Sequence, residues 1–246
     1  MRYGTIALYE PTSNVQSLKI LSALSSKPIL SLLSSTTANR PTLENQRPLL
    51  TYLTPNMHEL QHLYQTFHSL SSDSSSSFSS SSPNGSVVPR ALRESGSWFD
   101  NLSIPSSALE RAFPPFVTQE GIVQMAVPLL SFVRTLIIKS GSRGVILIQR
   151  IEGMEKVQRW KDFSESGGRR GRNGNIVVCS HVDEGRERAD AIVVQYFEGR
   201  KVEAKEGGNV TGAGDTLVGA VLAALVRGEK LDEPGGSAKI IDFAQR

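Results

Sequence analysis

A glycine-rich turn that leads directly into a small-residue apolar helix constrains this chain more than any other feature. The turn reads Thr211-Gly212-Ala213-Gly214-Asp215, and apolar residues predict a helix over 217–226. Glycine lets the backbone turn tightly and approach a ligand closely. The first turn of a helix presents free N–H groups and the positive end of its dipole. The pattern therefore predicts an anion site suited to a phosphate group.

Asp215 lies in the first turn of the predicted helix and has two interpretations. Its carboxylate can cap the helix, as Asp commonly does in this place. It can instead accept a proton from a hydroxyl that attacks a phosphate held beside it. The pattern alone does not choose between them.

Strands and helices alternate along the rest of the chain, which predicts an α/β fold with a mainly parallel sheet. We expect strands at 5–9, 49–53, 135–139, 145–149, 175–180 and 191–197, and helices at 56–68, 118–133, 217–226 and from 238 onward. A glycine turn at 140–144 joins two of these strands in the manner of a hairpin. Two interruptions are predicted: a disordered insertion at about 69–97, with twelve serines between 69 and 86, and a Gly/Arg-rich loop at about 164–174.

Composition narrows the class of protein. The net charge of +3 does not favour a dedicated nucleic-acid binder. Cys179 is the single cysteine, so the chain has no internal disulfide, and we predict that it is a buried strand residue. No apolar run reaches the roughly 18 residues that span a bilayer. We therefore expect a cytoplasmic protein that binds neither nucleic acid nor membrane.

The glycine turn belongs to a longer pattern. Residues 209–220 read N-V-T-G-A-G-D-T-L-V-G-A. This stretch resembles the C-terminal signature of the ribokinase-like (PfkB) carbohydrate kinases, roughly D-T-x-G-A-G-D-x-[FL]-x-G-A. Asn209 stands where many members have Asp, a change that pseudouridine kinase-like members tolerate.

Three further segments resemble the same family, in the same order. Residues 54–60 (T-P-N-M-H-E-L) are similar to its T-P-N-x-x-E-[AL] segment, and 139–145 (K-S-G-S-R-G-V) to its K-x-G-x-x-G-[VA] strand–turn–strand. Residues 8–12 (L-Y-E-P-T) resemble the F-E-P-T strand end of pseudouridine kinase-like members.

The resemblance implies ATP-dependent phosphoryl transfer, with Mg²⁺, to a hydroxyl of a small-molecule sugar or nucleoside. By this resemblance, Asp215 is the general base, and the anion hole consists of the amides of Gly212, Ala213 and Gly214. Magnesium would be organised by Asn56 and Glu59, often through water, as suits an ion that keeps several waters. The residues implied to line the ATP are Lys139, Ser140, Gly141, Gly144 and Thr211.

The resemblance also predicts the domain organisation. We expect 1–246 to be a partial kinase domain of the ribokinase-like three-layer fold, truncated at the N-terminus and the C-terminus. The sugar-gripping motifs of the family have no counterpart before Glu10, and the last predicted helix is still running at Arg246. The alternative is a catalytically incomplete fragment or pseudo-kinase. A sheet that lacks several strands leaves an exposed edge. We expect a homodimer, or a glycosidase domain fused in a longer parent chain, as the partner that covers it.

A competing motif overlaps one of these segments. Residues 58–62 read H-E-L-Q-H, which matches the H-E-x-x-H of zinc peptidases, with His58 and His62 as ligands. A third histidine, His68, has metzincin spacing, but Gln65 replaces the helix-breaking glycine. His68 would then lie about 240° around the helix from His62. We therefore disfavour the zinc reading.

Overall fold

A computed structural model describes residues 8–10, 50–72, 104–166, 175–183, 188–200 and 212–245 of the chain. The strands are β1 (Leu8–Tyr9), β2 (Leu50–Leu53), β3 (Val133–Lys139), β4 (Gly144–Glu152), β5 (Asn175–Asp183) and β6 (Arg188–Glu198). The helices are α1 (Met57–Ser72), α2 (Ser106–Ala112), α3 (Pro115–Gln119), α4 (Ile122–Ala126), α5 (Met154–Glu165), α6 (Ala213–Val226) and α7 (Gly236–Ala244). Short 3₁₀ turns occupy Val127–Ser131 and Gly141–Arg143.

The six strands form one sheet in the order β1-β2-β3-β4-β6-β5. The α/β prediction is confirmed, but the mainly parallel sheet is wrong for the part of the chain that the structure describes. β1, β2 and β3 run parallel, whereas β3 with β4, β4 with β6, and β5 with β6 are antiparallel. The cause is connection length. Only four residues separate β3 from β4 and four separate β5 from β6, and such short links join only antiparallel neighbours.

Helices cover both faces of this sheet. One face packs with α1 to α4 in a cluster that includes Leu60, Val117, Ile138 and Ile148. The opposite face packs with α6 and α7 around Leu147 and with α5 in a separate cluster. β4 and β6 are buried on both faces, as near-continuous apolar runs require.

The helix expected over 118–133 is broken in the structure. Gly121 adopts φ 65°, and Pro128 lies in the 3₁₀ turn that follows α4. Proline removes a backbone donor and so opposes one continuous helix. The result is α3, α4 and the turn, ending where β3 begins.

The two predicted interruptions fall mainly outside the described residues. Residues 69–72 belong to α1 and 164–165 belong to α5, so these residues are helical and were wrongly assigned to the interruptions. The last helix ends at Ala244, with Gln245 as its C-cap, and Arg246 lies outside the described residues.

Helix α5 is an element that the sequence reading missed. Trp160, which had no assigned role, is fully buried, and its indole N–H donates to the carbonyl oxygen of Asp232 at 3.0 Å. Lys156 donates to the carboxylate of Asp232 at 2.7 Å. Together these contacts attach α5 to the connection between α6 and α7.

The ion pair between Lys156 and Asp232 makes the free energy of unfolding depend on pH. Burial alone would raise the pKa of Asp232. The hydrogen bond and positive charge of Lys156, together with a backbone hydrogen bond and the charge of Arg134, outweigh burial and lower that pKa below its usual range. A lowered folded-state pKa contributes stability above the unfolded value, about 4, and this contribution is lost as the pH falls through the folded value. We expect Asp232→Asn to lower the free energy of unfolding by about 1 kcal/mol at pH 6 and by less at pH 3. Urea unfolding of both proteins at both pH values measures this, and a deficit that is independent of pH would contradict it.

Candidate functional site

Three parallel strands end at the same edge of the sheet and bring three polar residues there. Glu10 follows β1, Asn56 follows β2 by three residues, and Lys139 is the last residue of β3. The backbone N–H of Lys139 donates to the carbonyl oxygen of Pro55 at 2.9 Å, and Asn56 forms a parallel bridge with Lys139. Ligands of open α/β sheets bind outside the carboxyl ends of such strands. This edge is therefore the candidate site.

The start of α6 lies against the same edge. A Cβ atom added to Gly214 would lie 3.4 Å from Cδ and 3.5 Å from Nζ of Lys139. The predicted anion hole and the predicted nucleotide strand, 75 positions apart in sequence, are thus in contact.

The part of the chain that the structure describes leaves the outer side of the first turn of α6 uncovered. Gly212 is the N-cap with φ 89°, and no described side chain caps it. A Cβ atom on Gly212 would meet nothing within 4 Å among the described atoms. Ala213 and Asp215 are exposed, so the aspartate is available to a ligand. Thr211, predicted to line the nucleotide, lies outside the described residues.

Asn56 and Glu59 form a reciprocal cap at the start of α1. The N–H of Glu59 donates to Oδ1 of Asn56 at 3.0 Å, and the N–H of Asn56 donates to Oε2 of Glu59 at 2.7 Å. This is the capping-box arrangement with Asn in place of Ser or Thr. Glu59 is buried, and its negative charge adds to burial in raising the pKa of Tyr9. The pair is thus held rigidly beside the ends of β1 and β2.

A magnesium role for this pair can be tested against its donor atoms. One amide and one carboxylate are a small donor set, and both groups are already engaged in the cap. Such a set suits an ion that keeps most of its waters and is contacted through them. Within the described ranges, no three His, Cys, Asp or Glu side chains are grouped to hold a metal directly.

The same findings bear on the zinc motif. Helix α1 continues unbroken through Gln65 to Ser72. His58 is exposed, His62 is half-buried, and the carboxylate that would serve as general base is occupied by the cap. The geometry of α1 therefore gives the peptidase reading no support.

Lys139 makes an ion pair that the sequence reading did not anticipate. Its Nζ donates to Oε1 of Glu10 at 2.5 Å, and the two side chains are 15% and 20% exposed. The sequence places Glu10 in a strand-end pattern and does not predict it as a site residue. Its position could have indicated a site residue. Glu10 directly follows the strand predicted at 5–9, and Asn56 and Lys139 also lie at strand ends on that edge of the sheet.

The glycine turn after β3 is a tight hairpin, as predicted. Ser140 is buried, and its N–H donates to the carbonyl oxygen of Gly144 at 2.9 Å. Gly141 and Gly144 adopt φ 59° and 107°, in the left-handed range that favours glycine. The hydroxyl of Tyr196 donates to the carbonyl oxygen of Arg143 at 2.7 Å, which fixes the turn to β6.

Arg143 secures the outside of this turn. Its guanidinium pairs with both carboxylate oxygens of Glu120 and lies 4.3 Å from the ring centroid of Phe116. Planar bidentate pairing and stacking are contacts that arginine makes and lysine does not. The turn that follows Lys139 is therefore anchored to α3 as well as to β6.

Cys179 lies on β5, as predicted, but is half-buried instead of fully buried. Burial raises the pKa of its thiol to about 11. A thiol with a raised pKa is a poor nucleophile because little thiolate is present near neutral pH. In the order of the sheet, β4 and β6 separate β5 from β3, so Cys179 lies apart from Lys139.

Comparisons with known proteins give no family assignment: no family model matches the chain, and no curated protein matches it significantly. Within the described residues, no helix combines the length and apolar character needed to cross a bilayer. The candidate site consequently rests on its own geometry. The structure brings Lys139, Asn56 and Gly214 together, continues from Lys139 into the turn at Ser140, Gly141 and Gly144, and leaves Asp215 exposed beside them.

Proposed function

We propose that this chain transfers the γ-phosphate of ATP to a hydroxyl group of a sugar or nucleoside, as pseudouridine kinase-like members of the ribokinase-like family do. The observation that carries the proposal is the contact between Lys139 and Gly214 at the edge where Asn56 bridges Lys139. Three segments chosen from sequence for phosphate chemistry converge at one place. A chance resemblance of short motifs gives no reason for such convergence.

The start of α6 would receive the transferring phosphate. Amide donors at a helix N-terminus favour the negative charge that accumulates on the phosphoryl oxygens during transfer. Gly212 adds no side chain to this approach, and the ammonium group of Lys139 lies beside the turn. The hairpin turn from Ser140 to Gly144 continues this surface along the nucleotide.

Asp215 would act as the general base. Its carboxylate would accept the proton of the acceptor hydroxyl as that oxygen forms its bond to the γ-phosphorus and the bond to the ADP oxygen breaks. Exposure in the first turn of α6 puts the carboxylate within reach of an acceptor that approaches from solvent. Magnesium, when bound, supplies further neutralisation of phosphate charge, and Asn56 and Glu59 would hold its waters.

The test is acceptor-dependent consumption of ATP. The full chain is incubated with ATP and Mg²⁺ against a panel of ribosides, pseudouridine included, and simple sugars, with ADP and phosphorylated acceptor followed by mass spectrometry. We expect ADP to form only with some acceptors and in equal amount to the phosphorylated product. A folded chain that binds ATP without turnover on any acceptor would contradict the proposal and support a catalytically incomplete member of the family.

A further inference from the structure

The ion pair between Glu10 and Lys139 has an unusual electrostatic setting. Lys139 lies against the first turn of α6, whose dipole presents its positive end there. An ammonium group and a helix N-terminus repel each other, so Lys139 is placed where its charge is unfavourable without an anion. Glu10 supplies that anion, at 2.5 Å from Nζ, with both side chains largely shielded from water.

Hydrogen bonds hold the backbone of Lys139 and of the turn that follows it. The N–H of Lys139 is bonded to Pro55, and the following turn is held by Tyr196 and Glu120. The four-carbon stem of lysine carries rotatable donors that can exchange one acceptor for another. A phosphate at the start of α6 would therefore find an ammonium group close by and already paired.

We propose that Glu10 occupies Lys139 as an internal stand-in for phosphate and releases it when the phosphate chain of a nucleoside triphosphate binds at the start of α6. The identity of this ligand rests on the proposed function. Glu10 thus competes with the ligand: it pairs with Lys139 before the ligand binds, and phosphate must displace it to pair with Nζ. If Glu10 only held Lys139 in position, it would favour phosphate binding. If it competes with phosphate for Lys139, it weakens that binding.

Isothermal titration with inorganic tripolyphosphate and Mg²⁺ distinguishes the two roles. Freeing the ammonium group of Lys139 from its carboxylate partner should increase affinity modestly at a partly shielded site. We expect Glu10→Gln to bind tripolyphosphate about threefold to tenfold more tightly than the unaltered chain. Lys139→Met should weaken binding at least about tenfold, and the gain from Glu10→Gln should vanish in the double variant. Glu229→Gln, which removes an exposed charge beyond the other end of α6, is the matched control and should bind as the unaltered chain does.

The outcomes separate this inference from the proposed function. Equal or weaker binding by Glu10→Gln, with the unaltered chain still binding, would overturn the competition and leave the kinase proposal standing. A gain that persists without Lys139 would also overturn it, because the effect would then not pass through the lysine. Binding by Glu10→Gln where the unaltered chain shows none would support it. No binding by any of the proteins would contradict both the competition and the phosphate site.

Discussion

Asp215→Asn is expected to lower acceptor-dependent ATP turnover about 10²- to 10⁴-fold, the usual contribution of a positioned general base. Asparagine keeps the size and the exposed position of the side chain but cannot accept the hydroxyl proton. Since Asp215 is exposed, the substitution should change the free energy of unfolding by less than about 1 kcal/mol, mostly through its favourable interaction with the helix dipole. Steady-state rates with the best acceptor of the panel, and urea unfolding of the same samples, measure both quantities.

Glu229→Gln is the matched control for this variant as well. It removes the same charge from an exposed position beyond the C-terminal end of α6 and should leave both turnover and stability almost unchanged. An Asp215→Asn protein that turns over at the unaltered rate would show that Asp215 is not the general base. Unfolding of Asp215→Asn with loss of turnover would instead assign the residue to stability.

Gly144→Ala is expected to destabilise the protein by about 3 kcal/mol or more. This is the largest loss of stability that we expect from a substitution in the hairpin turn. Gly144 adopts φ 107°, and an added Cβ would lie 2.1 Å from the carbonyl oxygen of Phe197 and 2.5 Å from the amide nitrogen of Gly199. Both are backbone atoms, one in β6 and one directly after it, so neither can move aside without disturbing the β4–β6 pairing. Urea unfolding, monitored by circular dichroism, measures the loss.

Gly141→Ala, in the same turn, is the control. Gly141 also has a positive φ, of 59°, but a Cβ there would meet nothing within 4 Å. Only the backbone cost of the left-handed conformation applies, about 1 to 2 kcal/mol. Equal losses for the two variants would contradict the close approach of β4 to β6 at this turn.

The parts of the fold that local chemistry determines could be predicted from sequence. Asn56 and Glu59 define the start of α1 by pairing with each other's backbone, and the apolar residues after Asp215 define α6. The hairpin at 140–144 follows from its glycines, which supply the conformations that the turn needs. Each of these signals lies within a few residues of the structure it produces.

The parts of the fold that depend on contacts between distant segments could not be predicted from the sequence. Helix α5 carries many charged residues and is stabilised by Trp160 and Lys156 against Asp232, more than 70 positions away. The order of the strands beyond β3 depends on pairing of β4 with β6, with β5 placed outside them. The role of Glu10 depends on its ion pair with Lys139, 129 positions later. No sequence pattern near Glu10 indicates that partner.

The most direct test of the central claim, that the start of α6 and the end of β3 form one phosphate site, is a crystal structure with Mg²⁺ and a non-hydrolysable ATP analogue. We expect the terminal phosphate to accept hydrogen bonds of about 2.7–3.2 Å from amides within 212–214 and from Nζ of Lys139, with Asp215 facing the γ-phosphorus. A nucleotide whose phosphates lie away from α6, with Lys139 still paired to Glu10, would contradict the account.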